Sequence, residues 1–338
     1  MTLKNFPNAE VDMLVSIVIP NYNGKKYIKT CLESIKKQTY KDFEVIFVDN
    51  GSSDGSVDYV KAHYPEILLI TLEENFGFSI AVNRGIEKAQ GDYVVLLNTD
   101  TEATDNWLYE LVTCVTSNSK IFSCASKMLQ YYDKDKIDDA GDFYSILGWA
   151  YQDGHDESAS LYTEDRYIFS SCAGAAIYRK SLFEKVGLFD ERFFAYLEDV
   201  DIGYRAQIEG YFNYFCSKAI IYHIGSATSG GGYSPFKVKL SSRNNLYLIY
   251  KNMPLIQIVL NIPFILIGII IKYLFFRRKN LGIAYKEGLI EGLKTLKSVN
   301  KKSFKLKDIG KLIKIQYWLT GYTLKYAYRK LRFFQRSN

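Results

Sequence analysis

The chain has 338 residues, 48% hydrophobic and 24% charged, a balance that excludes a disordered polymer and suffices for one large or two ordinary domains. Its five cysteines (Cys31, Cys114, Cys124, Cys172, Cys216) are scattered without CxxC pairs, which argues against a structural zinc site and a disulfide scaffold and suits a reducing, cytosolic setting. The net charge of +6 conceals an asymmetry, because residues 272–338 hold 18 Lys/Arg against 3 Asp/Glu while residues 1–271 hold 25 against 34. A basic rear of this kind meets either nucleic acid or an anionic membrane. The opening MTLKNFPNAEVDM lacks the basic and then apolar pattern of a secretory signal.

Val15–Ile19 reads as a first strand closed by Pro20-Asn21-Tyr22-Asn23-Gly24. A helix follows over about Tyr27–Lys37, with Ile28, Cys31, Leu32 and Ile35 on one face. Glu44–Val48 is a second strand, Ser56–Tyr64 a second helix after a turn at 50–56, and Ile67–Thr71 a third strand. Gly77–Ala89 is helical, and Tyr93–Leu97 forms a fourth strand after the break at Gly91. This alternation predicts an α/β, Rossmann-like, doubly wound domain. From Ser126 to about Arg166, clusters such as DKDKIDDAGD and QDGHDESAS predict a variable surface region. Order resumes with Ile168–Tyr178, a helix over Arg179–Val186 stopped by Gly187, and a helix over Asp199–Glu209 stopped by Gly210. Beyond about Ser241 the character changes. Pro254–Phe276 is almost wholly apolar but holds Gln257, Asn261, Pro263 and Lys272, and Leu306–Phe334 mixes Lys/Arg with aromatic and aliphatic residues at helical spacing. The chain thus divides into a 1–245 α/β domain and a 246–338 basic, apolar helical region. The latter suits an anionic bilayer surface, the alternative being basic helices packed on the body.

Two strands stop abruptly on acid. Val45–Val48 ends at Asp49, and Val94–Leu97 ends at Asn98-Thr99-Asp100. Such unbroken runs belong to strands buried on both faces, and open α/β sheets bind ligands outside the carboxyl ends of those strands. The stretch FFAYLEDVDIGYR adds Glu198, Asp199 and Asp201. Carboxylates converging on one crevice call for a divalent cation with a phosphorylated ligand.

The segments VSIVIPNYNG (15–24), VDNGSSDGS (48–56), Glu74-Asn75-Phe76-Gly77-Phe78 and Asn83-Arg84-Gly85 resemble family 2 glycosyltransferases of the GT-A fold. CAGAAIYRKSLFEKVGLFDERFFAYLEDVDIGYR (172–205), followed by Tyr222-His223-Ile224-Gly225-Ser226, is similar to the rhamnosyltransferase-like branch. The resemblance covers about residues 15–245. One departure stands out: the family's DxD metal motif is Asn98-Thr99-Asp100 here, with one carboxylate where two are usual. The resemblance implies a GT-A nucleotide-sugar-binding domain, to which the basic, apolar composition of the tail adds a C-terminal helical, membrane-associating extension. It further implies a dTDP- or UDP-linked donor, a saccharide or polyprenyl-linked acceptor, Mn2+ or Mg2+, no nucleic-acid partner, and work at the cytoplasmic face of the cell membrane.

The same resemblance assigns roles. Pro20, Asn21 and Tyr22 fall in the donor loop. Asp49 is placed to contact the nucleotide base, since a carboxylate accepts an imide N–H; its alternative is to cap the 50–56 turn. Asp100 is the metal ligand, with Asn98 orienting ligand or water, or else Asp100 begins the following helix. His223 is the second metal ligand or a diphosphate contact, or a packed structural histidine. Arg84 meets the diphosphate or is a surface arginine. Asn75 and Gly77 shape a loop for close approach to the nucleotide-sugar, and Gly174 does so for a sugar. A loop at Gly230-Gly231-Gly232 closes over the diphosphate. Asp199 is the catalytic base, with Glu198 raising its pKa by like-charge repulsion. Asp201 supports it, within reach of Arg205 four residues on.

These readings combine into an inverting, metal-dependent glycosyltransferase of cell-surface polysaccharide synthesis. A sugar nucleotidyltransferase would need a Gly-rich phosphate loop after the first strand, for which PNYNGKK is a poor match. A non-catalytic nucleotide-sugar-binding subunit is the other alternative, suggested by the missing first carboxylate of the DxD. The tail's long apolar runs count against a nucleic-acid module.

Overall fold

The computed structural model describes residues 13–225 and 232–336. Strand β1 (Val15–Asn21), helix α1 (Lys25–Lys36), β2 (Phe43–Asn50), α2 (Ser56–His63), β3 (Leu68–Leu72), α3 (Phe78–Lys88) and β4 (Tyr93–Leu97) alternate as the sequence predicts. The order β3-β2-β1-β4 is parallel throughout, and its register sets Asn21 abreast of Asp49. Next come β5 (Thr101–Ala103), α4 (Trp107–Thr116), β6 (Ile121–Gln130), β7 (Ile137–Asp139), β8 (Asp142–Tyr144), β9 (Ala150–Gln152) and β10 (Arg166–Ile168). They are followed by β11 (Ala175–Arg179), α5 (Phe183–Val186), α6 (Glu198–Glu209) and β12 (Phe212–His223).

The unbroken apolar runs are indeed buried on both faces. Ile17, Phe47, Val95 and Leu97 pack with residues of α1 and α4, whereas Val18, Ile46, Val94 and Leu96 pack with residues of α3, α5 and α6. The full sheet runs β10-β12-β6-β11-β4-β1-β2-β3, with β5 on β12 and β7 on β6. One expectation fails here. β11 is antiparallel to both β4 and β6, so the sheet is mixed and not doubly wound throughout. An apolar run such as Ala175–Tyr178 is buried identically whichever way it points, so its direction leaves no trace in the pattern.

The surface region expected over 126–166 is also corrected. Ile137, Phe143 and Tyr144 lie in the core, and Asp139, Asp142 and Asp153 are buried with them. Asp153 has a fully buried side chain that pairs with Arg166, Lys325 and Arg329. Asp153 is inside because the fold supplies it with cations from distant segments, whereas among the described residues Asp139 and Asp142 are buried with no such ion pair.

The C-terminal part comprises α7 (Pro235–Asn252), α8 (Leu255–Arg278), α9 (Gly282–Thr295) and α10 (Ile309–Arg336). The boundary drawn at 245 falls inside α7. Ile315, Leu319 and Tyr322 of α10 share a core with Phe143, Phe169 and Tyr204, so α10 is packed on the body and spends Lys325 and Arg329 on Asp153. The loop expected to close at 230–232 falls largely outside the described residues.

Candidate functional site

At the carboxyl ends of β1 and β2, Asn21 donates from Nδ2 to Asp49 Oδ1 at 2.9 Å and to Ser52 Oγ at 3.1 Å. The Ser52 N–H donates to Asp49 Oδ2 at 2.9 Å. Asp49 therefore does cap its turn, and each oxygen keeps a second lone pair for a ligand. Pro20 lies half-buried beside it in β1, and Tyr22 stands at the rim, 39% exposed. One residue on, Asn50 accepts from the Phe76 N–H and donates to Asn75 Oδ1 and the Gly77 carbonyl. Gly77 has φ +91°, and a Cβ there would lie 2.6 Å from the Phe194 carbonyl oxygen. Glycine is thus required for this loop to touch the turn that leads to Asp199.

Asp100 follows β4 directly and is buried. β12 pairs antiparallel with β5, setting His223 opposite Thr101, and this brings His223 Nε2 to 3.4 Å from Asp100 Oδ1. On its other side, His223 Nδ1 is 2.7 Å from Asp138 Oδ2 of β7. Burial alone would lower the imidazole pKa, but Asp100 and Asp138 outweigh it and hold it up to about 10. His223 thus bridges two carboxylates, Asp138 at one ring nitrogen and Asp100 at the other. Asn98 joins them through its N–H, which donates to the Gly174 carbonyl at 2.8 Å.

The Ala173 N–H, beside Gly174, bonds the carboxylate of Asp199, as does the Val200 N–H at 2.8 Å. Burial nevertheless dominates and raises Asp199 to about 6. Glu198 is raised by burial and by the charge of Asp199, and Asp142 by burial and by Asp139, Asp199 and Glu198. Asp139 is pushed up to about 7, again by burial first. Asp139 Oδ2, Asp142 Oδ2 and Glu198 Oε2 are buried without a hydrogen-bond partner. Asp201 differs from these. Its carboxylate is fully buried, 2.9 Å from both Arg205 and Lys251 and 2.7 Å from Asn252. It braces α6 against α7 and takes the supporting role, not a substrate contact.

The turn ahead of Asp199 is unusual: Phe194, Tyr196 and Leu197 all have positive φ, at 63°, 71° and 68°. Asn244 of α7, fully buried, donates to the carbonyls of Phe193, Ala195 and Tyr196 at 2.8, 2.9 and 2.8 Å. That single amide holds the strained backbone in place.

The structure thus gathers Asn21, Asp49, Asn98, Asp100, Gly174, Glu198, Asp199 and His223 around the strand ends, with Asn75 and Gly77 in the adjoining loop. Arg84 is not among them. Its neighbours Asn83 and Gly85 face inward on α3, and Arg84 itself is exposed and paired with Glu87 at 3.0 Å. Asp138, Asp139, Asp142, Asn50 and Asn244 were invisible to sequence reasoning. The three acids stand in an IDDAGD run whose apolar residues, Ile137 and Ala140, are three apart and so lack the alternation of a half-buried strand. Among the described residues, Cys114, Cys216 and Asp165 also come together, with potential ligand atoms within 4.8 Å. Both thiols are pushed well up, Cys114 chiefly by its bond with Cys124 and Cys216 chiefly by its bond with Cys114.

A parallel half-sheet with carboxylates and a histidine at its carboxyl ends, extended by an antiparallel strand, places the chain in the mixed α/β, GT-A-like class. The model of the family "Glycosyl transferase family 2" matches residues 16–187, half of the chain, and the chain belongs to that family. It is 28% identical over 224 residues to the glycosyltransferase GlyA of Streptococcus pneumoniae serotype 4, covering 63% of this chain and 30% of that protein. It is 32% identical over 128 residues to the putative teichuronic acid biosynthesis glycosyltransferase TuaG of Bacillus subtilis, covering 37% and 51%. The chain thus spans about a third to a half of the length of these relatives. The solved structure of GalNAc-T7 with UDP, GalNAc and Mn2+ superposes with a TM-score of 0.58 at 18% identity, over 71% of this chain and 48% of that one. The mannosyltransferase PcManGT of Pyrobaculum calidifontis, in complex with GDP-Man and Mn2+, gives 0.51 at 15%, over 83% and 86%. These likenesses establish the fold.

Proposed function

We propose that this protein transfers a sugar, with inversion, from a nucleoside-diphosphate donor to a saccharide or lipid-linked saccharide acceptor. The observation that carries the reading is the continuous seam from Asp100 and His223, through Asn98 and Gly174, to Asp199. It sets a cation-binding pair beside a carboxylate whose pKa is tuned toward neutrality.

In this reading Asp100 and His223 hold Mn2+ or Mg2+, and the oxygen and nitrogen donors suit Mn2+. The ion, when bound, supplies Lewis-acid neutralisation of the diphosphate charge. Asp49, Asn21 and Asn75 receive the nucleoside, and Asn98 orients the donor. Asp199 accepts the proton of the acceptor hydroxyl as that oxygen attacks the anomeric carbon. The new C–O bond forms on the face opposite the departing diphosphate, which inverts the centre. Burial, not the like charge expected of Glu198, keeps the base from ionising too readily, and the charge of Asp199 in turn raises Glu198. The relative named for teichuronic acid biosynthesis favours an acceptor in cell-surface polysaccharide synthesis. The branch resemblance favours a dTDP-rhamnose donor, and the exposed apolar helix α8 favours work at the cytoplasmic membrane face.

Calorimetric titration with dTDP, UDP and GDP, each with and without Mn2+, tests the proposal. Metal-dependent binding of one nucleotide is expected and names the donor class. Binding of none would overturn the catalytic reading in favour of a subunit in which Asn98 has cost the site its metal.

A further inference from the structure

Helix α8 presents two unlike faces. Its inner face, formed by Gln257, Asn261, Ile265, Gly268 and Phe276, is committed to the protein. Gln257 and Asn261 each donate to Gln316 Oε1 of α10 at 2.9 Å, and Gln316 Nε2 donates back to Asn261 Oδ1 at 2.8 Å. Tyr204 of α6 donates to Gln257 Oε1 at 3.2 Å. At Gly268, the Trp149 indole donates to the carbonyl at 3.2 Å, and a Cβ would lie 2.2 Å from the Leu147 carbonyl oxygen. The outer face is apolar from end to end. Ile256, Leu260, Ile267, Ile270, Ile271 and Leu274 are each between 46% and 79% exposed, far more contiguous apolar surface than a soluble monomer leaves in water.

The charges around this face have one sign. No Asp or Glu occurs from 253 to 286, and Arg277, Arg278 and Lys279 are exposed at the end of the helix. An apolar face with a basic flank fits the boundary between acyl chains and anionic headgroups. We infer that α8 is an in-plane anchor: it lies along the surface of an anionic phospholipid bilayer, lipid on its outer face and protein on its inner face, and does not cross the membrane. The inference rests on the membrane association proposed above and decides its geometry.

Length does not decide between the two arrangements, since 24 residues extend about 36 Å and a bilayer core is about 30 Å thick. The faces do. A span would draw Gln257 and Asn261 away from Gln316 and Tyr204 into hydrocarbon, where nothing replaces their hydrogen bonds. Lying flat, α8 keeps every one of those bonds and removes from water only the face that has no polar group. The arrangement also ties the membrane to the site. Leu147 and Trp149, which seat α8, continue the segment that carries Asp139 and Asp142 beside Asp199. An acceptor whose lipid stays in the bilayer would then meet the base at a fixed height.

Truncation is no test, because α10 completes the core. The full chain is instead incubated with sealed phosphatidylcholine vesicles, with and without phosphatidylglycerol, and sedimented. Preferential binding to the anionic vesicles is expected, weakened at least tenfold by Ile267→Glu combined with Ile271→Glu, with nucleotide binding unchanged. Leu255→Cys and Lys279→Cys are then labelled separately with a membrane-impermeant maleimide, and both are expected to react from outside sealed vesicles. Protection of one end until the vesicles are opened would establish a span and overturn the inference. Vesicle binding indifferent to the double substitution, or a dimer in solution that the substitution dissociates without any vesicle binding, would overturn it too. Failure of the nucleotide titration alone removes the catalytic reading and leaves the anchor standing.

Discussion

Asn244→Ala isolates the contribution of one side chain to the geometry of the proposed base. Its amide bonds three carbonyls of the turn 193–196 at 2.8–2.9 Å. A buried hydrogen bond is worth about 1 kcal/mol net, so their loss costs about 3 kcal/mol. The turn has reason to move once released, because three non-glycine residues sit at positive φ, each costing on the order of 1–3 kcal/mol. The Phe193 carbonyl keeps Arg243 at 3.1 Å and the Ala195 N–H at 2.7 Å, so the change is a relaxation of 194–197 and not a collapse. Asp199 rides on that turn, and a displacement of about 1 Å at a reacting group lowers turnover about a hundredfold. Thermal melting should fall by on the order of 5–10 °C, and nucleotide affinity should change far less than turnover, since the Asn21–Asp49 pair is untouched and only the Gly77 loop abuts Phe194. Turnover within a factor of two of the native enzyme, with the melting temperature lowered as stated, would refute the coupling of the clamp to the base. An unchanged melting temperature would refute the energetic argument itself.

Asp199→Asn should lower transfer by about 100- to 10,000-fold while leaving metal-dependent nucleotide affinity intact, as read by calorimetry alongside product analysis. With Asp199 raised to about 6, it loses its basic form as pH falls through that value. The turnover profile should therefore have an acidic limb near there, absent from any residual activity of the Asn variant. Asp138→Asn should weaken Mn2+-dependent nucleotide binding by about 10- to 100-fold, because the imidazole loses its orienting carboxylate; equal affinity would remove His223 from the metal. Lys251→Met should destabilise the fold by about 3 kcal/mol in denaturant titrations at neutral pH, since Asp190 and Asp201 keep buried charges with fewer partners. Burial would raise Asp201, but Arg205 and then Lys251 and Asn252 hold it below the usual carboxylate range. Its stabilisation is present above the unfolded value of about 3.9 and is lost as pH falls through the folded one. The deficit of Lys251→Met should accordingly narrow in acid.

What could be read from the sequence follows one physical rule. Runs such as Val94–Leu97 are buried on both faces, so composition alone reveals the strand, its end, and hence the acid that follows it. Helix α6 was legible because Gly210 stops it in the left-handed conformation. The rule fails where burial is earned by distant partners. Asp153 looks like a surface acid until Lys325 and Arg329 of α10, more than 170 positions on, reach it. Asn244 and Lys251 look like ordinary helix polar residues because their partners lie about 50 positions earlier. Arg84 misled in the opposite sense: the motif placed it near the donor, but α3 turns Asn83 and Gly85 inward and leaves Arg84 in solvent.

Helix α7 gives these separate observations a common cause. Along one helix, Asn244 clamps the turn before Asp199, Lys251 neutralises Asp190 and Asp201, and Asn252 bonds Asp201. Three residues further on, α8 begins with its apolar outer face. A force that moves α8 relative to the body must therefore act first on the residues that fix the base. If α8 settles in a bilayer, the 190–201 segment is stiffened in the geometry already seen, because α7 can no longer drift from α6. Vesicles should then raise the melting temperature of the native chain and lift turnover toward a lipid-linked acceptor, whereas Asn244→Ala should respond to vesicles in stability but not in turnover. A variant that recovered both would show that the membrane positions the base by a route that does not pass through this clamp.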